Sequence, residues 1–122
     1  MLRSVEKLLA KQTILLVDDD DEVREILAET LEDFGYRVIR VGSGEEALSY
    51  LDHDDMPDMI ISDVRMPGMS GLELAERVRA RGGCMKLLLM SGYFLPQQIS
   101  ERFLRKPFHM HELETAVRAQ LG

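Results

Sequence analysis

The chain has one cysteine, no tryptophan, four prolines and only 6% aromatic residues across 122 positions. A lone Cys84 excludes an internal disulfide and fits a reducing, cytoplasmic setting. It reads as a small residue at a strand entrance rather than as a reactive thiol. No apolar run approaches the roughly 20 residues that a membrane span needs, so no membrane segment is expected. The opening MLRSVEKLLAKQ mixes charges and lacks a long apolar stretch, so it does not read as a signal peptide. Positive charge is also scarce. Lys and Arg number 15 against 22 Asp and Glu, a net charge of −7. That balance argues against an autonomous nucleic-acid surface, and no DNA binding by this chain is expected. Arg77, Arg79 and Arg81 have the spacing of a solvated helix and its end.

What is present is strand–helix alternation. TILLV (Thr13 to Val17) is a continuous apolar run, as in a strand buried on both faces. Val23, Ile26, Leu27, Thr30, Leu31 and Phe34 then recur at helical spacing, and Gly35 is placed to end that helix. YRVIRV (Tyr36 to Val41) alternates like a half-buried strand. Ser43 and Glu46 form a capping-box pattern before Ala47, Leu48 and Leu51. DMIIS (Asp58 to Ser62) is a third strand that runs into Asp63. RMPGMSG carries loop punctuation. Leu72, Ala75 and Val78 mark the next helix, closed by Gly82 and Gly83. KLLLMS (Lys86 to Ser91) and RFLRK (Arg102 to Lys106) are the last strands. Leu113, Ala116, Val117 and Leu121 stripe a final helix. Most of the methionines read as flexible apolar filler.

Five such units predict an α/β fold with a parallel, doubly wound sheet rather than an eight-stranded barrel. Residues 13–122 form one domain in this reading. Residues 1–12, with Leu2, Val5, Leu8 and Leu9 on one stripe, are expected to be a helical extension or a linker. About ten residues separate Gly92 from Phe103, and Pro96 is among them. A crossover between parallel strands usually needs a dozen or more. The fourth helix is therefore expected to be short or missing.

Ligands of open parallel sheets bind at the carboxyl ends of the strands. Asp18 and Asp19 follow strand one, Asp63 strand three, Ser91 strand four and Lys106 strand five. Singly, each has a plain alternative as a turn, cap or surface residue. Together they place three carboxylates, a hydroxyl and an ammonium on one edge. The run DDDDE from Asp18 would repel itself unless a positive charge sits within it. Carboxylates without His or Cys nearby suit a hard, oxygen-preferring cation such as Mg²⁺. An ionised Asp beside it could act as a nucleophile towards phosphorus, with the lysine neutralising phosphoryl oxygens.

ILLVDDDDEVREIL, DMIISDVRMPGMSGLEL, LLLMSGY and FLRKPF resemble the receiver domains of two-component response regulators. The resemblance covers Thr13 to Leu121, and it implies strand order 2-1-3-4-5. It also implies that Asp63 is the phosphoacceptor, Asp19 a direct Mg²⁺ ligand and Asp18 a ligand through water. Asp63 itself also belongs to the metal set, and Arg65 would give it a backbone carbonyl. Ser91 would be the switch hydroxyl, Lys106 the partner of the phosphoryl oxygens and Phe103 the aromatic that turns inward on activation. Arg65 and Tyr93 stand where the family tunes dephosphorylation. His109 stands where Asp or Thr often caps the last helix; with His53 and His111 it reads as a surface residue. The MSGY to FLRKPF wording is similar to receivers attached to hybrid histidine kinases. The implied donor is a sensor histidine kinase or a histidine phosphotransfer protein. A downstream protein partner is also implied, and a homodimer is left open. Such a chain is no enzyme beyond its own phosphorylation and dephosphorylation.

Two alternatives stay open at this point. DDDEV from Asp19 can be read as the Asp-x-Asp-x-Val signature of a haloacid-dehalogenase-type phosphohydrolase, although SGYFLPQQ lacks the later acid that class needs. A receiver turned into a constitutive docking domain is the other. A flavodoxin-type nucleotide site is discounted, because five acids in its first loop would repel phosphate.

Overall fold

A computed structural model describes residues 11–92 and 101–122. Its five strands are β1 (Thr13–Val17), β2 (Arg37–Val41), β3 (Met59–Asp63), β4 (Lys86–Ser91) and β5 (Arg102–Arg105). The helices are α1 (Asp21–Asp33), α2 (Gly44–His53), α3 (Gly71–Ala80) and α4 (Met110–Leu121). All strand pairs are parallel, and the order is β2-β1-β3-β4-β5. This is the expected doubly wound α/β sheet. The expected helical extension and the short or missing fourth helix fall on residues 1–10 and 93–100, outside the described residues.

Continuous apolar strands explain the sheet's depth. Ile14 to Val17, Met59 to Ile61 and Leu87 to Met90 are all buried, because helices cover both faces. Alternate residues feed two cores. Ile14, Leu16, Met59, Ile61, Leu88 and Met90 pack with Leu27, Leu31, Leu113 and Val117 of α1 and α4. Leu15, Val17, Ile60 and Leu87 pack with Ala47, Leu51, Leu74 and Val78 of α2 and α3. Each fully buried Leu or Ile contributes about 1.5–3 kcal/mol. β2 is an edge strand and departs from strict alternation: Val38 is buried in one core and Val41 in the other, with Arg37 exposed.

Three local readings need correction. On α3 the buried stripe is Gly71, Leu74, Ala75 and Val78, with Leu72 only half-buried. A period of 3.6 joins 71, 74, 75 and 78, and position 72 falls beside that line. Ile26, placed on the α1 stripe, is 56% exposed. Leu27 and Ala28 take the core-facing positions instead. The α2 capping box is half formed: Ser43 accepts from the Glu46 N–H at 3.1 Å, but the Glu46 carboxylate takes the Gly42 N–H at 3.2 Å. Of the methionines, Met59, Met66 and Met90 are buried, while Met56 and Met110 are exposed. Arg79 and Arg81 are exposed and paired, Arg79 with Glu101 and Arg81 with Asp52.

Candidate metal centre

The acid run divides as soon as β1 ends. Asp18 leaves the sheet with its N–H on the Val41 carbonyl at 3.2 Å, held between β1 and the end of β2. Asp20 is the N-cap of α1, its Oδ1 accepting from the Val23 N–H at 3.1 Å. Asp21 and Glu22 lie in the first turn, where negative charge complements the helix dipole. That leaves Asp18 and Asp19 for the strand edge, where Asp63 ends β3.

One ligand atom each from Asp18, Asp19 and Asp63 lies within 4.8 Å of the others. Asp18 is buried, Asp63 half-buried and Asp19 exposed, so the group opens to solvent on one side. Asp18 Oδ1 accepts the Asp20 N–H at 3.0 Å. Its Oδ2 is buried and has no hydrogen-bond partner among the described residues. Burial pushes the Asp18 carboxyl above the ordinary range; the Asp20 N–H opposes this, and the Asp63 charge adds to it. An orphaned carboxylate oxygen is costly in a fold. Grouped with two more carboxylates, Asp18 fits a hard divalent cation: all the donors are oxygens, and water can complete the shell from the exposed side.

Lys106 approaches from the opposite side. It follows β5, and its N–H donates to the Ser91 carbonyl at 2.8 Å. Its ammonium lies 3.2 Å from Asp63 Oδ1. The Lys106–Pro107 peptide bond is cis. Ser91 ends β4 and is buried, in register with Arg105. Thus Asp18, Asp19, Asp63, Ser91 and Lys106 gather on one edge, as the sequence led us to expect. Arg65 follows in the exposed turn after β3. Phe103 lies on β5 opposite Leu89 and is 50% exposed. Tyr93 lies outside the described residues.

The turn that carries Asp63 is tightly built. The Val64 N–H donates to the Met90 carbonyl at 2.9 Å and the Gly71 N–H to the Val64 carbonyl at 2.8 Å. A Cβ on Gly71 would overlap the Asp63 carbonyl oxygen, so glycine is required for α3 to start this close to β3. Gly68 adopts φ +72°, a left-handed turn residue, and the next N–H, of Met69, reaches Glu45 of α2 at 3.2 Å. Met66 anchors the turn in the second core.

Two residues of the site escaped the sequence reading. Gly71 was legible only as loop punctuation. Arg24 was not singled out, although it is the sole basic residue between Asp18 and Asp33. Its side chain is 19% exposed, and it donates to the Asp18 carbonyl at 2.8 Å and to Asp21 Oδ1 at 2.7 Å. A lone cation in an acid run was the available signal.

His109 is the N-cap of α4; its own N–H donates to the Glu112 carboxylate at 3.2 Å, and its ring stacks on that of His111. No helix among the described residues is long and apolar enough to cross a membrane.

Comparison with known proteins agrees with this architecture. The transcriptional regulatory protein FixJ of Azorhizobium caulinodans is 41% identical over 88% of this chain and 54% of its own length. The sensor kinase CckA of Brucella abortus is 35% identical over 98% of this chain but only 14% of its own. The chain spans about half the length of the regulators it matches. Among solved structures, the response regulator protein TrrA from Thermotoga maritima, in complex with Mg²⁺–BeF, aligns with a TM-score of 0.81 at 32% identity. That alignment covers 89% of this chain and 98% of TrrA. The phosphohydrolase alternative finds no favour in these likenesses. The family model of the response regulator receiver domain matches residues 14–118, and the chain belongs to that family, a signalling domain of two-component systems.

Proposed function

We propose that residues 13–122 are a receiver domain that takes a phosphoryl group from a histidine kinase or a histidine phosphotransfer protein onto Asp63. The Asp63 carboxylate forms the new O–P bond as the N–P bond of a phosphohistidine breaks, and the leaving imidazole takes a proton. The product is an acyl phosphate. Lys106, already on Asp63 Oδ1 at 3.2 Å, neutralises the phosphoryl oxygens as they arrive. Asp18, Asp19, Asp63 and the Arg65 carbonyl would hold Mg²⁺, which supplies further charge neutralisation at phosphorus. The TrrA complex with Mg²⁺–BeF supports that choice of ion. The Ser91 hydroxyl then bonds a phosphoryl oxygen, and Phe103 moves from its exposed position, changing the surface a downstream protein reads. The setting is the cytoplasm, where the donor's kinase domain would stand, and the chain's only chemistry is on itself.

Docking has a place beside the acceptor. Val23, Ile26 and Leu27 of α1 line an apolar groove with Pro107, Phe108 and Met110, and Lys106 is part of the same lining. A donor covering this groove brings its phosphohistidine over Asp63.

The reading rests on one observation: three carboxylates within 4.8 Å, one with an orphaned oxygen, and a lysine on the acceptor. The test is incubation with a small phosphodonor and Mg²⁺, followed by intact mass. Wild type is expected to gain one phosphoryl mass and Asp63→Asn none. An equal gain on both proteins would remove Asp63 as acceptor; a label on Asp19 would revive the phosphohydrolase.

A further inference from the structure

The geometry points to Arg24 as a positioning residue of the cation site, acting through the Asp18 peptide; this rests on the proposed metal set. Its guanidinium is partly buried and forked between two acceptors, the Asp18 carbonyl at 2.8 Å and Asp21 Oδ1 at 2.7 Å. Gly42 lies against it, and a Cβ there would sit 3.4 Å from the nearer guanidine nitrogen. The carbonyl it holds belongs to the peptide that joins Asp18 to Asp19. Asp18 is thus fixed at three points: its N–H on Val41, its carbonyl on Arg24, and its Oδ1 on Asp20. Only Oδ2 is left over, buried and without a partner among the described residues. Removing the grip on the carbonyl frees the Asp18–Asp19 peptide to rotate, and both carboxylates turn with it.

The direction of the effect is diagnostic. By charge alone, a cation beside a divalent-ion site weakens binding, so its removal should tighten the site. Positioning predicts the reverse. Outer-shell partners of metal ligands typically contribute about 10–100-fold in affinity. Lysine keeps the charge but has no fork, so one ammonium cannot hold both acceptors in the same geometry.

Mg²⁺ titration of the full chain by calorimetry, without any phosphodonor, tests this. Arg24→Ala is expected to raise the Mg²⁺ Kd by about tenfold, and Arg24→Lys to raise it as well. Thermal unfolding in EDTA accompanies each titration and separates a change in the site from general loss of stability. A Kd for Arg24→Ala equal to or below that of wild type overturns the proposal, whatever the unfolding midpoint. So does an Arg24→Lys variant that binds as tightly as wild type, since charge would then be sufficient. Absence of Mg²⁺ binding by wild type itself would instead sink the metal set on which the proposal rests.

Discussion

The Lys106 ammonium and the Asp63 carboxylate meet at 3.2 Å across the carboxyl edge of the sheet, from strands that are not neighbours. β4 lies between them, and its last residues hold both sides: the Met90 carbonyl takes the Val64 N–H and the Ser91 carbonyl takes the Lys106 N–H. The acceptor and its cation are therefore set by one strand. Lys106→Ala is expected to slow labelling by a small phosphodonor by about 10²-fold, the usual scale for losing one charge-stabilising donor. Mg²⁺ binding should persist, because the three carboxylates remain. A time course by intact mass checks this; an unchanged rate would remove Lys106 from the chemistry.

Asp18 carries a cost that depends on pH. Burial, chiefly, lifts its pKa above the ordinary 3.8. Between that value and the raised one, the folded state binds more protons than the unfolded chain. The contribution of Asp18 to stability therefore falls as pH rises through this window and stays unfavourable at neutral pH. Asp18→Asn is expected to raise the unfolding midpoint in EDTA at pH 7 while weakening Mg²⁺ binding. The gain should shrink as the pH is lowered through the same window. A midpoint below that of wild type at neutral pH would show that the buried charge is compensated without a metal.

Magnesium should stabilise the wild type in proportion to RT ln(1 + [Mg²⁺]/Kd). Thermal unfolding at rising Mg²⁺ is expected to show a steadily climbing midpoint, and Asp19→Asn with Asp63→Asn together to flatten it. A rise of equal size in the double variant would place the ion elsewhere.

Gly71→Ala tests the turn beneath Asp63. The new Cβ would press on the Asp63 carbonyl oxygen, and backbone rather than a flexible side chain must yield. A loss of about 1–3 kcal/mol in denaturant unfolding is expected, the scale of overpacking. Labelling of Asp63 should slow as well. Unchanged stability would mean that α3 can shift freely against β3.

Ile26 is an apolar side chain left 56% exposed, and it lines the same groove as Lys106. Ile26→Asp is expected to slow transfer from a phosphorylated histidine kinase able to label the wild type, and to leave labelling by a small donor unchanged. Equal loss with both donors would assign the effect to the site rather than to docking.

The sequence by itself determined the sheet, its parallel sense and the five residues on its edge. Continuous runs such as TILLV can only be satisfied between two helical layers, and the residues that follow such runs must emerge at one edge. The resemblance carried by DMIISDVRMPGMSGLEL added the strand order and the roles expected of the edge residues. Local patterns failed where neighbours decide. Ile26 has the spacing of a core residue, yet Leu27 and Ala28 face the sheet and leave it exposed. Glu46 has the spacing of a capping-box partner, yet the Gly42 N–H competes for it. Sequence could divide the four adjacent aspartates between strand edge and helix start, but only the tertiary structure gave each its environment: Asp18 buried, with an oxygen unpartnered among the described residues, Asp19 exposed at the site, Asp20 capping α1, and Asp21 paired with Arg24. Periodicity carries one piece of information per residue, the face on which it lies. Desolvation, ion pairing and the close approach of Gly71 to Asp63 depend on groups brought together from distant parts of the chain.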